Sequence, residues 1–183
     1  MGPRERILET AARLFYEQGY NSTGINQILA EAKVAKASLY QHFSSKDDLG
    51  VTYLQQARER WFPKFQGFVE QHNTPKEQLL ACFDFMAQSM SQGGFKGCRF
   101  INVLVEVGDS SPMMRAQVVA HKTKLRSYLA NLIKPLAPPL QVELWTNHIY
   151  LLFEGAIVES KIYQNDWPLQ SAKLIVSSLL SEE

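Results

Sequence analysis

The sequence predicts an all-α protein with a small N-terminal head of three helices and a larger helical C-terminal body. Apolar residues recur three or four positions apart in segment after segment, which is the spacing of amphipathic helices. Serine, proline and glycine stand where these segments begin and end. The chain has 183 residues, 45% of them hydrophobic, which suffices for a buried core. We place the head at residues 1–49 and the body at residues 50–183.

The overall charge of the chain does not identify a partner. Its formal net charge is +1, and residues 1–60 contain eight Lys or Arg against seven Asp or Glu, which again leaves +1. Proteins gain electrostatic affinity for nucleic acid through cations that meet phosphates. Any affinity for DNA must therefore come from the local placement of these cations.

No feature of the sequence indicates a membrane span, a metal site or a disulfide framework. The most apolar stretch, residues 149–158, is interrupted by Glu154 and is shorter than the roughly 20 residues that cross a bilayer. The N-terminus mixes charged and apolar residues, unlike a signal peptide, so we expect a cytoplasmic protein. Cys82 and Cys98 lack the spacing of zinc ligands, so we expect reduced thiols, no metal and no cofactor.

The head begins with two predicted helices. The first covers residues 4–18 and ends at Gly19, because glycine accepts the left-handed conformation that closes a helix. Tyr20 is expected to fold back on the last turn. Thr23 is a good N-cap for a second helix of about ten residues. The apolar faces of the two helices are Ile7, Ala11, Leu14 and Phe15, and Ile25, Ile28, Leu29 and Ala32.

A turn at residues 33–35 leads into a third, short helix. Leu39 and Phe43 stand four residues apart and therefore share one of its faces. Two serines followed by two aspartates predict that a fourth helix begins near Lys46, because both residue types stabilise a helix N-terminus. Pro63 is expected to kink or end that helix.

The second and third helices have the pattern of a helix-turn-helix. Such a motif lays its second helix in the major groove of DNA. Residues 32–46 contain three lysines and no Asp or Glu, as a surface facing phosphates requires. We expect Ser38 and Gln41 to contact base edges and the other polar groups to bind phosphates. The predicted DNA contacts are Thr23, Lys36, Ala37, Ser38, Tyr40, Gln41, His42 and Lys46.

Residues 4–49 resemble the head of the tetracycline-repressor (TetR) family of bacterial transcription regulators. The similarity is carried by LF followed by GY, by a Thr-led second helix, and by LYQHF followed by SKDDL. It implies that the LYQHF segment is the recognition helix, anchored by Leu39 and Phe43. The chain departs from the family at Lys33 and Ala37, where members commonly have glycine. If Lys33 has positive φ, the missing glycine costs about 1 kcal/mol.

The same resemblance implies a homodimeric repressor that binds a pseudo-palindromic operator of double-stranded DNA. A small-molecule effector would then favour a body conformation in which the two recognition helices no longer match successive major grooves, about 34 Å apart. The patch GCRFINVLVEVGDSSPMMRAQ, at residues 97–117, resembles the sensor domains of one branch of the family.

The body is predicted to be helical throughout. A serine and a proline open its long third helix, and a group of prolines ends it. Its last two helices carry more apolar surface than one small body covers, so we predict that they form a homodimer interface. The predicted helices cover residues 76–91, 98–107, 112–134 and 142–163, and a last helix begins at Asp166 and Pro168.

Seven residues of the body are candidate effector contacts. They combine flexible apolar side chains with polar-tipped ones, as small-molecule sites require. The expected effector is a small apolar or aromatic compound. The residues are Met86, Met90, Phe100, Met113, His121, Trp145 and His148.

Three alternatives remain open. Cys98 lies between Gly97 and Arg99 at a predicted helix N-terminus, where backbone amides and a guanidinium favour thiolate reactivity, so the repressor would sense electrophiles or oxidants. An enzyme is not expected, because the sequence has no nucleophile elbow, zincin motif or phosphate loop. The polar residues retained on the third helix disfavour a helical adapter without DNA binding.

Overall fold

The computed structural model describes residues 1–181. These residues form nine α-helices and one 3-10 turn, with no strand among them, so the all-α class is confirmed. The elements are α1 (Pro3–Glu17), α2 (Ile25–Ala32), α3 (Lys36–His42), α4 (Lys46–Val69), α5 (Pro75–Gln92), α6 (Arg99–Val107), α7 (Pro112–Ile133), the 3-10 turn (Pro139–Gln141), α8 (Val142–Tyr163) and α9 (Trp167–Leu179).

The end of α1 follows the prediction. Gly19 has φ +99°, and the amide of Gln18 donates to the Leu14 carbonyl at 2.9 Å. Tyr20 is buried, and its ring centroid lies 4.9 Å from that of Phe15. The chain therefore folds back onto the last turn of α1 before it enters α2.

The start of α4 is also confirmed. The Ser45 hydroxyl accepts a hydrogen bond from the Asp48 amide at 3.1 Å, and the Asp48 carboxylate accepts one from the Ser44 amide at 2.9 Å. These bonds satisfy amide donors that a helix start otherwise leaves open. Lys46 is therefore the first residue of α4.

The sequence predicts that α4 either kinks or ends at Pro63, and the helix does not end there. The helix continues to Val69, and Pro63 is exposed. A proline inside a helix costs about 3 kcal/mol. Phe62, Phe65 and Val69 are each at most 1% exposed, and burial of each stabilises by about 1.5–3 kcal/mol. Packing on this face therefore outweighs the lost hydrogen bond.

The chain forms two compact units. Unit 1 contains Met1–Arg60 and Arg99–His121, so α6 and the first part of α7 lie with the three N-terminal helices. Unit 2 contains Trp61–Cys98 and the chain from Lys122 onward. Segments far apart in sequence thus build the unit that carries the helix-turn-helix.

Unit 2 is a helical body with an aromatic core. Thr74 caps α5: its hydroxyl accepts from the Glu77 amide at 3.2 Å, and the Glu77 carboxylate accepts from the Thr74 amide at 3.0 Å. The ring centroids of Phe83 and Phe153 lie 5.2 Å apart, at an edge-to-face angle of 77°. Within residues 1–181, no helix has both the length and the apolarity to span a membrane.

Candidate DNA-binding site

A left-handed residue joins the two helices of the helix-turn-helix. Lys33 ends α2 with φ +53°, and the amide of Val34 donates to the Leu29 carbonyl at 3.1 Å. Ala35 then precedes α3 with an extended backbone. The turn is therefore tight, and it uses a lysine in a conformation that glycine adopts without cost.

The apolar residues of α3 anchor it to unit 1, as predicted. Leu39, in the middle of α3, is 0% exposed, and Phe43, which directly follows the helix, is 2% exposed, so both anchor α3 from one side. The opposite side faces solvent and carries hydrogen-bonding groups. Its exposed residues are Lys36, Ala37, Tyr40, Gln41 and His42, with Ser38 half-buried beside them.

Lys46 lies beside this surface at the start of α4. Its ammonium nitrogen is 4.3 Å from the centroid of the Tyr20 ring, and the Tyr20 hydroxyl donates to the Asp47 carboxylate at 2.7 Å. Burial lowers the pKa of Lys46, and it outweighs the opposing attraction of Glu106 and Asp47. The tyrosine ring therefore fixes where this cation lies.

Thr23 is not the N-cap of α2; Gly24 occupies that position. The Thr23 side chain is 0% exposed, its hydroxyl donates to the Gly19 carbonyl at 2.6 Å, and it accepts from the Gln18 side-chain amide at 3.1 Å. Threonine prefers local bonds to backbone groups, and here the α1–α2 turn offers one. Thr23 thus supports the turn from inside.

Within the described residues, ion pairs on α1 and α2 leave lysines near α3 unpaired, although the head has almost no net charge. Three of its carboxylates are held by arginines, whereas Lys33 and Lys36 form no salt bridge within residues 1–181. The surface around α3 is therefore basic although the sum of charges is small. The three pairs are Arg13 with Glu17, Arg13 with Glu31, and Arg60 with Glu9.

Sequence reasoning missed the contribution of α6 to this unit. The Asn21 amide donates to the Glu106 carboxylate at 2.7 Å, and the Asn21 side chain donates to the Glu106 carbonyl at 2.8 Å. The guanidinium of Arg99 lies 4.6 Å from the centroid of the Tyr16 ring. Both ends of α6 are therefore bound to α1 or to the turn after it.

The candidate effector residues fall into three groups. Phe100 and His121 are buried in unit 1, with parallel rings whose centroids are 3.7 Å apart. Met86, Met90 and Trp145 belong to the hydrophobic core of unit 2. Met113 and His148 are exposed, in unit 1 and unit 2 respectively.

Cys98 belongs to a polar cluster within unit 2. The Lys122 ammonium nitrogen lies 3.5 Å from Cys98 Sγ and 2.5 Å from Glu154 Oε2. Burial disfavours this ammonium, but Cys98 and Glu154 outweigh it and raise the pKa of Lys122. The other cysteine, Cys82, is 0% exposed and donates to the Gln78 carbonyl, and burial raises the pKa of its thiol.

The last two helices expose a row of large apolar side chains. Leu144, Leu151 and Val158 recur every seven residues along α8, and each is about half exposed or more. Leu174 and Ile175 add to this surface from α9. Large apolar patches on a folded body indicate a protein interface.

Comparison with known proteins places both parts of the chain among bacterial regulators. Residues 7–50 match the family model of bacterial regulatory proteins of the tetR family, and residues 75–176 match the model of the tetracyclin repressor-like C-terminal domain. The transcriptional repressor NemR of Escherichia coli is 26% identical over 97% of this chain and 94% of its own length. The regulator LmrA of Bacillus subtilis is 28% identical over 97% and 96%.

A solved structure extends the comparison to the whole fold. SCO4454, a TetR-family transcriptional regulator from Streptomyces coelicolor, superposes with a TM-score of 0.89 at 29% identity. The match covers 98% of this chain and 89% of that protein. The arrangement of helices is thus shared over nearly the full chain.

Proposed function

This chain belongs to the TetR family and is a DNA-binding transcriptional regulator, and we propose that it is a homodimeric repressor released from a pseudo-palindromic operator by a small-molecule effector. One observation carries the DNA-binding part of the proposal: α3 buries both of its apolar anchors and presents a polar, acid-free face. A helix held in this way meets base edges without losing its support from the domain.

The polar residues of this surface divide into two roles. Lys36 and Lys46 are placed at helix starts, where they bind phosphates, and the exposed Tyr40 and His42 donate to phosphates beside them. Gln41 and Ser38 contact base edges, Gln41 through paired hydrogen bonds to adenine. Ala37, which has no polar side chain, allows close approach of the helix backbone. Thr23 is omitted from the contact set because its hydroxyl is buried and bonded.

The homodimer forms through α8 and α9, where the exposed apolar rows lie. A two-fold pair presents two recognition helices to successive major grooves, about 34 Å apart. Four candidate effector residues lie in unit 2 with α8 and α9, and the other three lie in unit 1 with the helix-turn-helix. An effector that binds more tightly to the conformation that does not fit the operator shifts the population toward that conformation. An effector that binds free and DNA-bound protein equally shifts nothing.

Two substitutions on the proposed surface test these roles against each other. Lys46→Ala should weaken binding to every duplex and lower the salt dependence, because it removes a phosphate contact. Gln41→Ala should change which operator sequences bind while leaving the salt dependence unchanged. Salt titrations of binding, with an operator duplex selected from random sequence and a scrambled duplex, measure both effects.

Lys64→Ala serves as the control, since Lys64 is an exposed lysine of the same helix but lies in unit 2. Equal effects of Lys46→Ala and Gln41→Ala would refute the division of roles. Absence of binding by the wild-type protein to any duplex at low salt would refute the function.

A thiol-sensing repressor is the second candidate, and the contact between Lys122 and Cys98 favours it. An ammonium 3.5 Å from a sulfur pairs with the thiolate, which is the reactive form. Iodoacetamide alkylation measures this reactivity: the thiol loses its proton to buffer, and the resulting thiolate displaces iodide. Cys98 should react faster than a free thiol, and Lys122→Met should slow it. A rate no faster than that of a free thiol would exclude this candidate.

A further inference from the structure

Arg4, in the first turn of α1, is held against the end of the recognition helix. Its side chain is exposed, and the guanidinium carbon lies 5.4 Å from the centroid of the Phe43 ring. Phe43 directly follows α3 and is 2% exposed, so this ring is itself fixed in unit 1. The aromatic face therefore sets where the guanidinium stands relative to α3.

The start of α1 is also hydrogen-bonded to the turn that precedes α3. Arg6 Nη1 donates to the carbonyl of Lys33, the residue that ends α2, at 3.3 Å. Ile7, one residue further on, is 0% exposed and anchors this part of α1 in the core. The start of α1 is thus fixed both at the turn before α3 and at the residue after it.

Arg4 forms no salt bridge in the part of the chain that the structure describes. The neighbouring Glu5 is directed to the helix start, where its carboxylate accepts a hydrogen bond from the Gly2 amide at 2.5 Å. A guanidinium that rests on a ring keeps its N–H edge open, and that planar edge matches the oxygens of a phosphate.

We propose that Arg4 binds one phosphate of the DNA backbone in each half-site, beside the base pairs that face α3. This inference rests on the proposed function and adds to it a contact from outside the helix-turn-helix. Elements that flank a recognition helix meet the backbone rather than the base edges, which is why a phosphate is the partner. Phe43 acts as the positioning residue for this cation.

Salt titrations of Arg4→Gln test the proposal. Each phosphate contact contributes about 0.9 to the slope of log K against log salt, so the dimer should lose about 1.8. The affinities for the selected operator and for a scrambled duplex should fall by the same factor. Arg4→Lys, which keeps the charge, should retain the wild-type slope.

Arg13→Gln is the matched control, because Arg13 is an exposed arginine of the same helix that pairs with Glu17 and Glu31. It should leave the slope unchanged. A wild-type slope for Arg4→Gln would overturn the proposal, as would a loss confined to the operator, which would assign Arg4 to base edges. Neither result affects the proposed function, which fails only if the wild-type protein binds no duplex. Circular dichroism confirms that each variant is folded.

Discussion

At the turn of the helix-turn-helix, one residue, Lys33, combines an unfavourable backbone conformation with a positive charge near α3. Lys33 adopts a left-handed backbone with φ +53°, and its carbonyl accepts the hydrogen bond from Arg6. An L-residue in this conformation is destabilised relative to glycine. The chain therefore keeps a lysine at a position where glycine would be more stable, and this lysine adds a cation to the basic surface around α3.

Lys33→Gly should stabilise the protein relative to Lys33→Ala by about 1 kcal/mol. Both variants remove the same charge, so their difference reports the backbone conformation and not the charge. The gain is limited because glycine also increases the entropy of the unfolded chain. Urea unfolding of the two variants measures the difference. Equal stabilities would show that the strain of the left-handed turn does not exceed the entropy that glycine adds to the unfolded chain.

At the scale of helices, the sequence predicted those helix ends that depend on contacts between residues within four positions of each other. Gly19 ends α1 and the serines before Lys46 start α4, because these signals act through bonds to adjacent turns. It left open whether α4 would kink or end at Pro63, since the outcome depends on packing against distant helices. The bond between Asn21 and Glu106 spans 85 residues and has no local signature.

In the candidate site, too, the sequence predicted what depends on helical spacing but not what depends on contacts with a neighbouring turn. The burial of Leu39 and Phe43 followed from helical spacing, and so did the exposure of the polar face of α3. The burial of Thr23 depends instead on a carbonyl in the preceding turn, which a cap pattern does not reveal.

Glu106→Ala should loosen the turn between α1 and α2 while leaving the helices intact. The substitution removes an acceptor of the Asn21 amide, a loss worth about 1 kcal/mol or somewhat more for a charged group. Hydrogen exchange at the Asn21 amide should accelerate, because its partner is gone. Glu59→Ala, which removes an exposed acid of the same unit, is the control. Unchanged exchange at Asn21 would show that the Glu106 carboxylate does not restrain this turn.

At the scale of the whole molecule, the exposed apolar rows on α8 and α9 support the proposed homodimer. One recognition helix makes few contacts, and two linked copies bind far more tightly because the second contact becomes intramolecular. The seven-residue spacing of Leu144, Leu151 and Val158 is the repeat with which helices pack along a shared seam. In the proposed dimer, operator binding would therefore depend on residues remote in sequence from the DNA-binding surface.

Leu151→Glu should convert the dimer to monomers. Leu151 is 67% exposed in the single chain, and a carboxylate there would be buried without a partner in the dimer. Because a two-fold interface contains each substitution twice, a combined cost of about 3 kcal/mol raises the dissociation constant roughly 100-fold. Sedimentation velocity should show the monomer, and operator affinity should fall with it. Leu140→Glu, on a fully exposed leucine outside α8, should remain dimeric. A Leu151→Glu protein that stays dimeric and binds its operator normally would place the interface elsewhere.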